Sequence, residues 1–182
     1  MYTGYYAYEG GACVPPPPYQ FNPCLVTEKA RVQGVAFLAP GFAFIDPTSR
    51  AEWTAGIAAG NIILLPETRG KYDGGSPKKG EGYGKQKERT LFYDYSLDFK
   101  DLNMFENQAF YDTIDKVQNW TLAFFTDTLL WLVNAPVNVS TKDPVTENIE
   151  DEVVEEVMVT WQYAYKPQKF SVPGLLAAFQ VA

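Results

Sequence analysis

The sequence predicts a mainly β, α+β fold: an antiparallel β-sandwich or partly closed barrel, with one flanking helix and a long inter-strand loop. Three observations predict it. Aromatic residues make up 15% of the 182 residues, and flat rings favour the pleated surface of a sheet. In TLFYDYSLDFK, Leu91, Tyr93, Tyr95, Leu97 and Phe99 alternate with Phe92, Asp94, Ser96, Asp98 and Lys100, the period-two signature of a strand with one core face and one polar face. Finally, the elements run strands, short helix, strand, long loop, strand, helix, hairpin, strand, an order that suits two packed layers rather than alternating β–α units.

Taken in order, residues 1–29 read as an extended arm, because the Tyr- and Gly-rich start and the run Pro15–Pro18 cannot make a helix. Residues 30–182 read as one domain. ARVQGVAFLAP predicts a strand that GFAFI continues. In DPTSRAEWTAGIAAGN, Ser49 and Glu52 form a capping box, Trp53 and Ile57 share a face, and Gly60-Asn61 ends the helix. IILLP predicts a strand buried on both faces. After residues 68–90 and the alternating strand, Asn103 with Glu106 marks another helix start, with Phe110, Ile114 and Val117 as its inward stripe. WTLAFFTDTLLWLV predicts a hairpin about Asp127, and KDPVTENIEDE an acidic loop. VVEEVMVTWQYAY is a last long strand with Val157, Val159, Trp161, Tyr163 and Tyr165 on one face. The apolar end, with Leu175, Leu176 and Phe179, is expected to dock on the body or on a neighbour.

Composition narrows the chemistry. The chain has no histidine, which removes Ser-His and Cys-His nucleophile pairs and the commonest metal ligand. Cys13 and Cys24 have no second pair or histidine to complete a metal site; free thiols are expected, and pairing needs an oxidising compartment. The start MYTGYYAYEGG has no basic-then-apolar signal pattern, and no apolar run approaches a membrane span. The expectation is therefore a non-enzyme without cofactor or metal, made in cytoplasm.

Residues 68–90 hold six glycines, seven cations and three acids, hence +4, which leaves −11 for the remainder of a chain whose net charge is −7. A phosphate loop fails here: Lys79 stands where the first glycine belongs, Gln86 where the hydroxyl belongs, and a strand rather than a helix follows. Connections this long are usually functional, and ordering so many glycines costs entropy that a partner surface can offset. The predicted subunit interface is Arg69, Lys71, Tyr72, Lys78, Lys79, Tyr83, Lys85, Lys87 and Arg89, docking on an acidic face of the next copy. Such head-to-tail contacts give rings or filaments.

Other constellations read more plainly. Asp94 and Asp98 lie on one strand face and are expected to be solvated rather than catalytic. Glu147, Glu150, Asp151, Glu152, Glu155 and Glu156 lack the glycine turn of a calcium loop and read as an acidic face; in a ring they would line a pore and repel passing phosphate. Trp120, Trp131 and Trp161 could stack on sugars or belong to the core.

The order formed by the long loop, TLFYDYSLDF, MFENQAFYDTIDKVQ, WTLAFF, LLWLV, the acidic turn and VEEVMVTWQYAY resembles that of tail tube proteins of tailed bacteriophages, over roughly 62–166. TRGKYDGG followed by GYGKQKERT also resembles small virion structural proteins. The resemblance implies a β-sandwich with a flanking helix, self-assembly into homo-oligomeric rings whose inner sheets join into a barrel, and stacking into a viral tail. It implies a bridging role for residues 69–89. The implied partners are other copies of the chain, other phage structural proteins, and DNA as non-specific passing cargo, with no membrane span; the implied location is the virion. The Tyr/Pro arm and the apolar C-terminal segment depart from that pattern and would also suit a capsid decoration or collar protein. An aromatic-rich glycan-binding β module is the alternative from a different class.

Overall fold

The computed structural model describes residues 31–82, 88–101, 103, 106–116, 119–144 and 154–180. The expected N-terminal arm, with both cysteines, lies outside them.

Two antiparallel five-stranded sheets form the body. The first has the order β10 (Gln168–Ser171), β7 (Leu129–Val133), β6 (Thr121–Phe125), β1 (Gly34–Leu38), β2 (Ile62–Leu65). The second runs β3 (Arg69–Tyr72), β5 (Arg89–Asp101), β9 (Glu155–Tyr163), β8 (Asn138–Lys142), with β4 (Ser76–Gly80) also paired to β5. Among the described residues three short helices accompany them: α1 (Arg50–Ala58), α2 (Gln108–Ile114) and α3 (Ala177–Gln180). The mainly β sandwich is as expected, and no barrel closes. The sheets meet at one corner instead, where Val32, just before β1, exchanges backbone hydrogen bonds with Gly70 of β3 (3.1 Å each way).

The first sheet is buried on both faces. On one, Val35, Phe37, Leu122, Phe124 and Val133 pack against Tyr95, Leu97, Phe99, Val157, Val159 and Trp161 of the second sheet, with Tyr111 and Ile114 of α2 in the same cluster. On the other, Ala36, Leu38, Ala123, Phe125 and Leu130 meet Trp53 of α1 together with Val172, Leu175 and Leu176 near the C-terminus. This is why GVAFL, TLAFF and LLWLV are almost continuously apolar, whereas β5 and β9 alternate, having one face in water. The C-terminal segment docks on its own body.

Local chemistry departs from the sequence reading at several points. GFAFI is not a strand: the chain turns at Pro40-Gly41, where Gly41 has φ +81°, and Phe42 and Phe44 pack edge to face before Phe44 reaches Trp53. Ser49 is the N-cap of α1 but makes no side-chain cap bond. The Glu52 carboxylate accepts from the backbone N–H groups of Ile45 and Asp46 instead, tying the preceding loop to the helix. β2 is an edge strand, with Ile62 buried and Ile63–Leu65 half-buried. The second helix starts at Gln108, not near Asn103: the Asn103 N–H is taken by Asp101 Oδ1 at 3.0 Å, and Asn107 occupies the N-cap. Tyr165 lies beyond β9 and is exposed. Strands β8 and β10 were not anticipated; the first is polar, and both are short edge strands.

The largest correction concerns residues 68–90. Within them Arg69–Tyr72 and Ser76–Gly80 are strands rather than loop. β3 and β4 follow one another along the same edge of β5, with Tyr72 opposite Leu97 and Ser76 opposite Asp94. Three residues against two make a bulge at Asp73–Gly75, whose glycines have φ +78° and +87°. The Asp73 carboxylate accepts from the Gly75 N–H at 2.9 Å, closing the turn. Six glycines spaced among lysines hid the period-two signal of these strands.

A Cβ at Gly75 would stand 2.2 Å from the Tyr95 ring, whereas one at Gly74 meets nothing. Gly74→Ala is expected to cost about 1–2 kcal/mol through left-handed strain alone. Gly75→Ala adds about 1–3 kcal/mol of overpacking against a buried ring. Urea unfolding of the two variants checks this, and equal midpoints would refute the close approach.

Candidate functional site

The solvent-facing side of the second sheet gathers most of the residues singled out by sequence. Alternation along β5 turns Phe92, Asp94, Ser96, Asp98 and Lys100 outward, opposite Tyr93, Tyr95, Leu97 and Phe99. Cross-strand registers then place Lys71 beside Asp98, Lys100 beside Glu156 and Asp94 beside Gln162. The side chains use these neighbours. Lys71 Nζ lies 3.6 Å from Asp98 Oδ2, Lys78 Nζ 3.2 Å from Asp94 Oδ2, and Lys100 Nζ 2.8 Å from Glu156 Oε1. Gln162 Nε2 donates to Asp94 Oδ1 at 2.8 Å, and Ser96 Oγ to Asp98 Oδ1 at 3.2 Å. Exposed pairs of this kind stabilise by only about 0.2–1 kcal/mol each, but together they give the face a charge pattern neutralised within the chain. Asp94 and Asp98 each serve separate partners on the solvent-facing side of the sheet.

The expected interface residues divide. Arg69, Lys71, Lys78, Lys79 and Arg89 are exposed; Lys79 Nζ also lies 3.8 Å from Glu88 Oε2. Tyr83, Lys85 and Lys87 fall outside the described residues. Tyr72 is corrected: it points inward, stacked on Trp161 at 6.0 Å and 4° and tilted against Phe124 at 5.0 Å. Burial, helped by neighbouring Tyr95 and Asp73, raises its hydroxyl pKa far above the ordinary tyrosine value. A strand that turns Lys71 out must turn Tyr72 in. Lys71, Lys78 and Lys79 of the basic segment are paired with Asp98, Asp94 and Glu88 of the same chain.

The expected acidic face divides too. Glu147, Glu150, Asp151 and Glu152 lie outside the described residues. Glu156 faces out, against Lys100. Glu155 is a correction: it is 6% exposed and looks into the molecule, directly opposite Asp101, itself 5% exposed. The Tyr111 hydroxyl donates to Asp101 Oδ2 at 2.5 Å. Burial raises the Glu155 pKa above the ordinary value. The charge of Asp143 adds to this, as do Asp112 and Asp101, and a Thr141 hydrogen bond opposes it. Burial and the Asp101 bond likewise hold the Tyr111 hydroxyl in its neutral form. Asp101 and Tyr111 were missed by sequence. The signal was present in the register: Asp101 continues the inward series Tyr95, Leu97, Phe99.

The tryptophans belong to packing. Trp161 is buried in the stack with Tyr72 and Tyr95, Trp120 packs against the core, and Trp131 stacks on Phe124 with Lys169 Nζ 4.3 Å above its ring. None forms an open platform for sugar. Among the described residues no group of three or more His, Cys, Asp or Glu is placed to hold a metal ion, and no helix is long and apolar enough to cross a membrane. No protein-family model matches the chain. No curated protein matches it, and no solved structure does.

The proton on Glu155 gives a prediction with a definite sign. Its folded pKa lies above the unfolded one, so between them the folded state holds more protons and stability falls as pH rises. The contribution is complete below the unfolded value and lost as pH passes the folded one. Glu155→Gln, which mimics the protonated acid, is expected to raise Tm at pH 8 and to leave it unchanged near pH 4. Thermal unfolding across that range checks it; the same difference at both ends would contradict it.

Proposed function

We propose that the chain is a self-assembling structural subunit of a phage virion, most simply a tail tube subunit whose stacked rings form a conduit for DNA. One observation carries this reading. β9 pairs with β5 only from Tyr93 to Asp101, so beyond Tyr93 the β4–β5 hairpin continues as a two-stranded ribbon. Lys78, Lys79, Arg89, Thr90 and Leu91 of that ribbon are all exposed. An isolated two-stranded ribbon is marginally stable in water, and here it also offers an apolar residue, Leu91, half exposed at 48%. A neighbouring subunit would supply the missing layer.

The second sheet supports the same reading. It ends in β8 on one side and in the β3–β4 edge on the other, and strand edges are templates for pairing with another chain. Joining the β8 edge of one copy to the β4 edge of the next would extend the sheet around a ring. Its outer face then forms a wall of self-paired charges around Asp94, Asp98 and Glu156, which gives a passing phosphate backbone no strong cationic grip. Docking by the ribbon does not need an acidic partner, because Lys71 and Lys78 are already matched within the chain; backbone pairing and the burial of Leu91 would drive it. A decoration or collar subunit would use the same ribbon on a different particle surface.

Replacing residues 81–88 by Asn-Gly, which suits a two-residue hairpin turn, keeps Gly80 opposite Arg89. The variant is expected to keep its thermal midpoint within a few degrees and to lose rings or filaments in negative-stain images and sedimentation. Undiminished polymerisation of the variant would remove the bridging role. A wild-type chain that stays monomeric at high concentration in low salt would remove the assembly reading itself.

A further inference from the structure

Toward the ribbon end of the second sheet, the inner face carries a row of rings that come progressively into solvent. Tyr95 and Trp161, directly opposite each other on β5 and β9, are each 2% exposed and stack at 5.2 Å and 16°. The next inward-facing pair, Tyr93 and Tyr163, is also directly opposite but only half-buried, and the Tyr93 ring stacks on Tyr95 at 5.9 Å. Tyr165, just past β9, is 48% exposed. Its ring meets Tyr163 edge to face at 5.6 Å and 70°, so the two rings make an L-shaped corner. The corner is fixed from behind, because the Tyr95 hydroxyl donates to the Tyr165 carbonyl at 3.0 Å.

Exposed tyrosine faces are contact surfaces for other flat or apolar groups, and the chain itself holds a segment of matching chemistry. VPPPPY, Val14–Tyr19, lies within residues 10–27, a stretch without a charged side chain, so the ion pairs on the opposite face of the sheet offer it nothing. A proline run favours the polyproline II helix, which presents apolar rings and carbonyls free of internal hydrogen bonds. Tyrosine supplies a face for the first and a hydroxyl for the second, and the stiffness of the run reduces the entropy lost on docking. The reach suffices. The described chain begins at Arg31, next to Val32, which is bridged to Gly70 and so lies near Phe99. From Phe99 to Tyr93 is six residues of strand, about 20 Å. Pro18 precedes Arg31 by 13 residues, a span of up to about 40 Å when extended.

We propose that the proline run Pro15–Pro18 docks, within its own chain, on the corner formed by Tyr163 and Tyr165 beside Tyr93. The ledge is a receptor for a proline-rich segment in the polyproline II conformation. This contact lies within one chain and does not rest on the assembly reading.

NMR of the isotope-labelled full-length chain tests the proposal. The ring signals of Tyr163 and Tyr165 are expected to differ between wild type and a variant carrying Pro15→Ser, Pro16→Ser, Pro17→Ser and Pro18→Ser, by the same amount over a wide range of chain concentration. A synthetic peptide of residues 14–21 added to that variant is expected to restore the wild-type shifts saturably. Half-saturation at or below about 1 mM is expected, comparable to the effective concentration that a short flexible tether provides. The same peptide with serines for prolines is expected not to bind. Tyr165→Ala removes an exposed ring and keeps the carbonyl that Tyr95 uses; it is expected to hold its thermal midpoint within a few degrees and to lose the response of Tyr163 to the peptide. The proposal is overturned if wild type and the serine variant share the Tyr163 and Tyr165 signals, if the serine peptide binds equally well, or if Tyr165→Ala leaves peptide binding as tight. A docked fraction that rises with chain concentration also overturns it, since the arm would then come from a second copy.

Discussion

Burial of the first sheet on both faces is the constraint on which the rest of the molecule depends. Its inner side is covered by the second sheet, its outer side by Trp53 of α1 and by the turn that carries Val172, Leu175 and Leu176. Its central strands β1, β6 and β7, covered twice, contribute apolar area from nearly every residue rather than every other one, at roughly 25 cal/mol per Å² removed from water. The helix and the C-terminal segment are thus the third layer of the core, and the Trp53 indole N–H, satisfied by Pro47 O at 2.8 Å, shows how the polar end of that layer is accommodated.

With the apolar requirement met there, the second sheet can leave one face in water. That face is ordered by charge instead of by packing: lysines of β3, β4 and β5 meet carboxylates of β5 and β9 as cross-strand neighbours. The same strands turn their other side chains into a stack of Tyr72, Tyr95 and Trp161. The charged face and the core beneath it are therefore built from alternate residues of the same strands, so a change of register in one would displace the other.

How legible this was depended on the environment of each strand. β5, β6, β7 and β9 could be read directly, because period-two alternation or a continuous apolar run survives on them. β3 and β4 could not: RGKY and SPKKG hold one inward-facing ring, Tyr72, and otherwise arginine, serine, glycine, proline and lysine, a composition that signals a loop. What makes them strands is the long β5 beside them, a tertiary partner that local propensity does not encode. β8 was missed for a similar reason, since NVSTK has only Val139 to pack against the core. The charges of the candidate site were found but not their pairing, which requires the register. Asp101 and Tyr111 were missed because they gain meaning only from burial and register.

The bulge at Asp73–Gly75 has a consequence of parity. Lys71 and Lys78 are seven residues apart, an odd spacing that would put them on opposite sides of a regular strand, yet both reach acids on the same face of β5. The additional residue restores the phase. Removing one glycine would make the spacing six and the ladder regular, with Ser76 still opposite Asp94 and both lysines still outward, so the bulge's local twist would be lost and not the facing of the distal half. Two small residues thus act as a phase corrector between an inner segment that belongs to the core and an outer one that belongs to the surroundings.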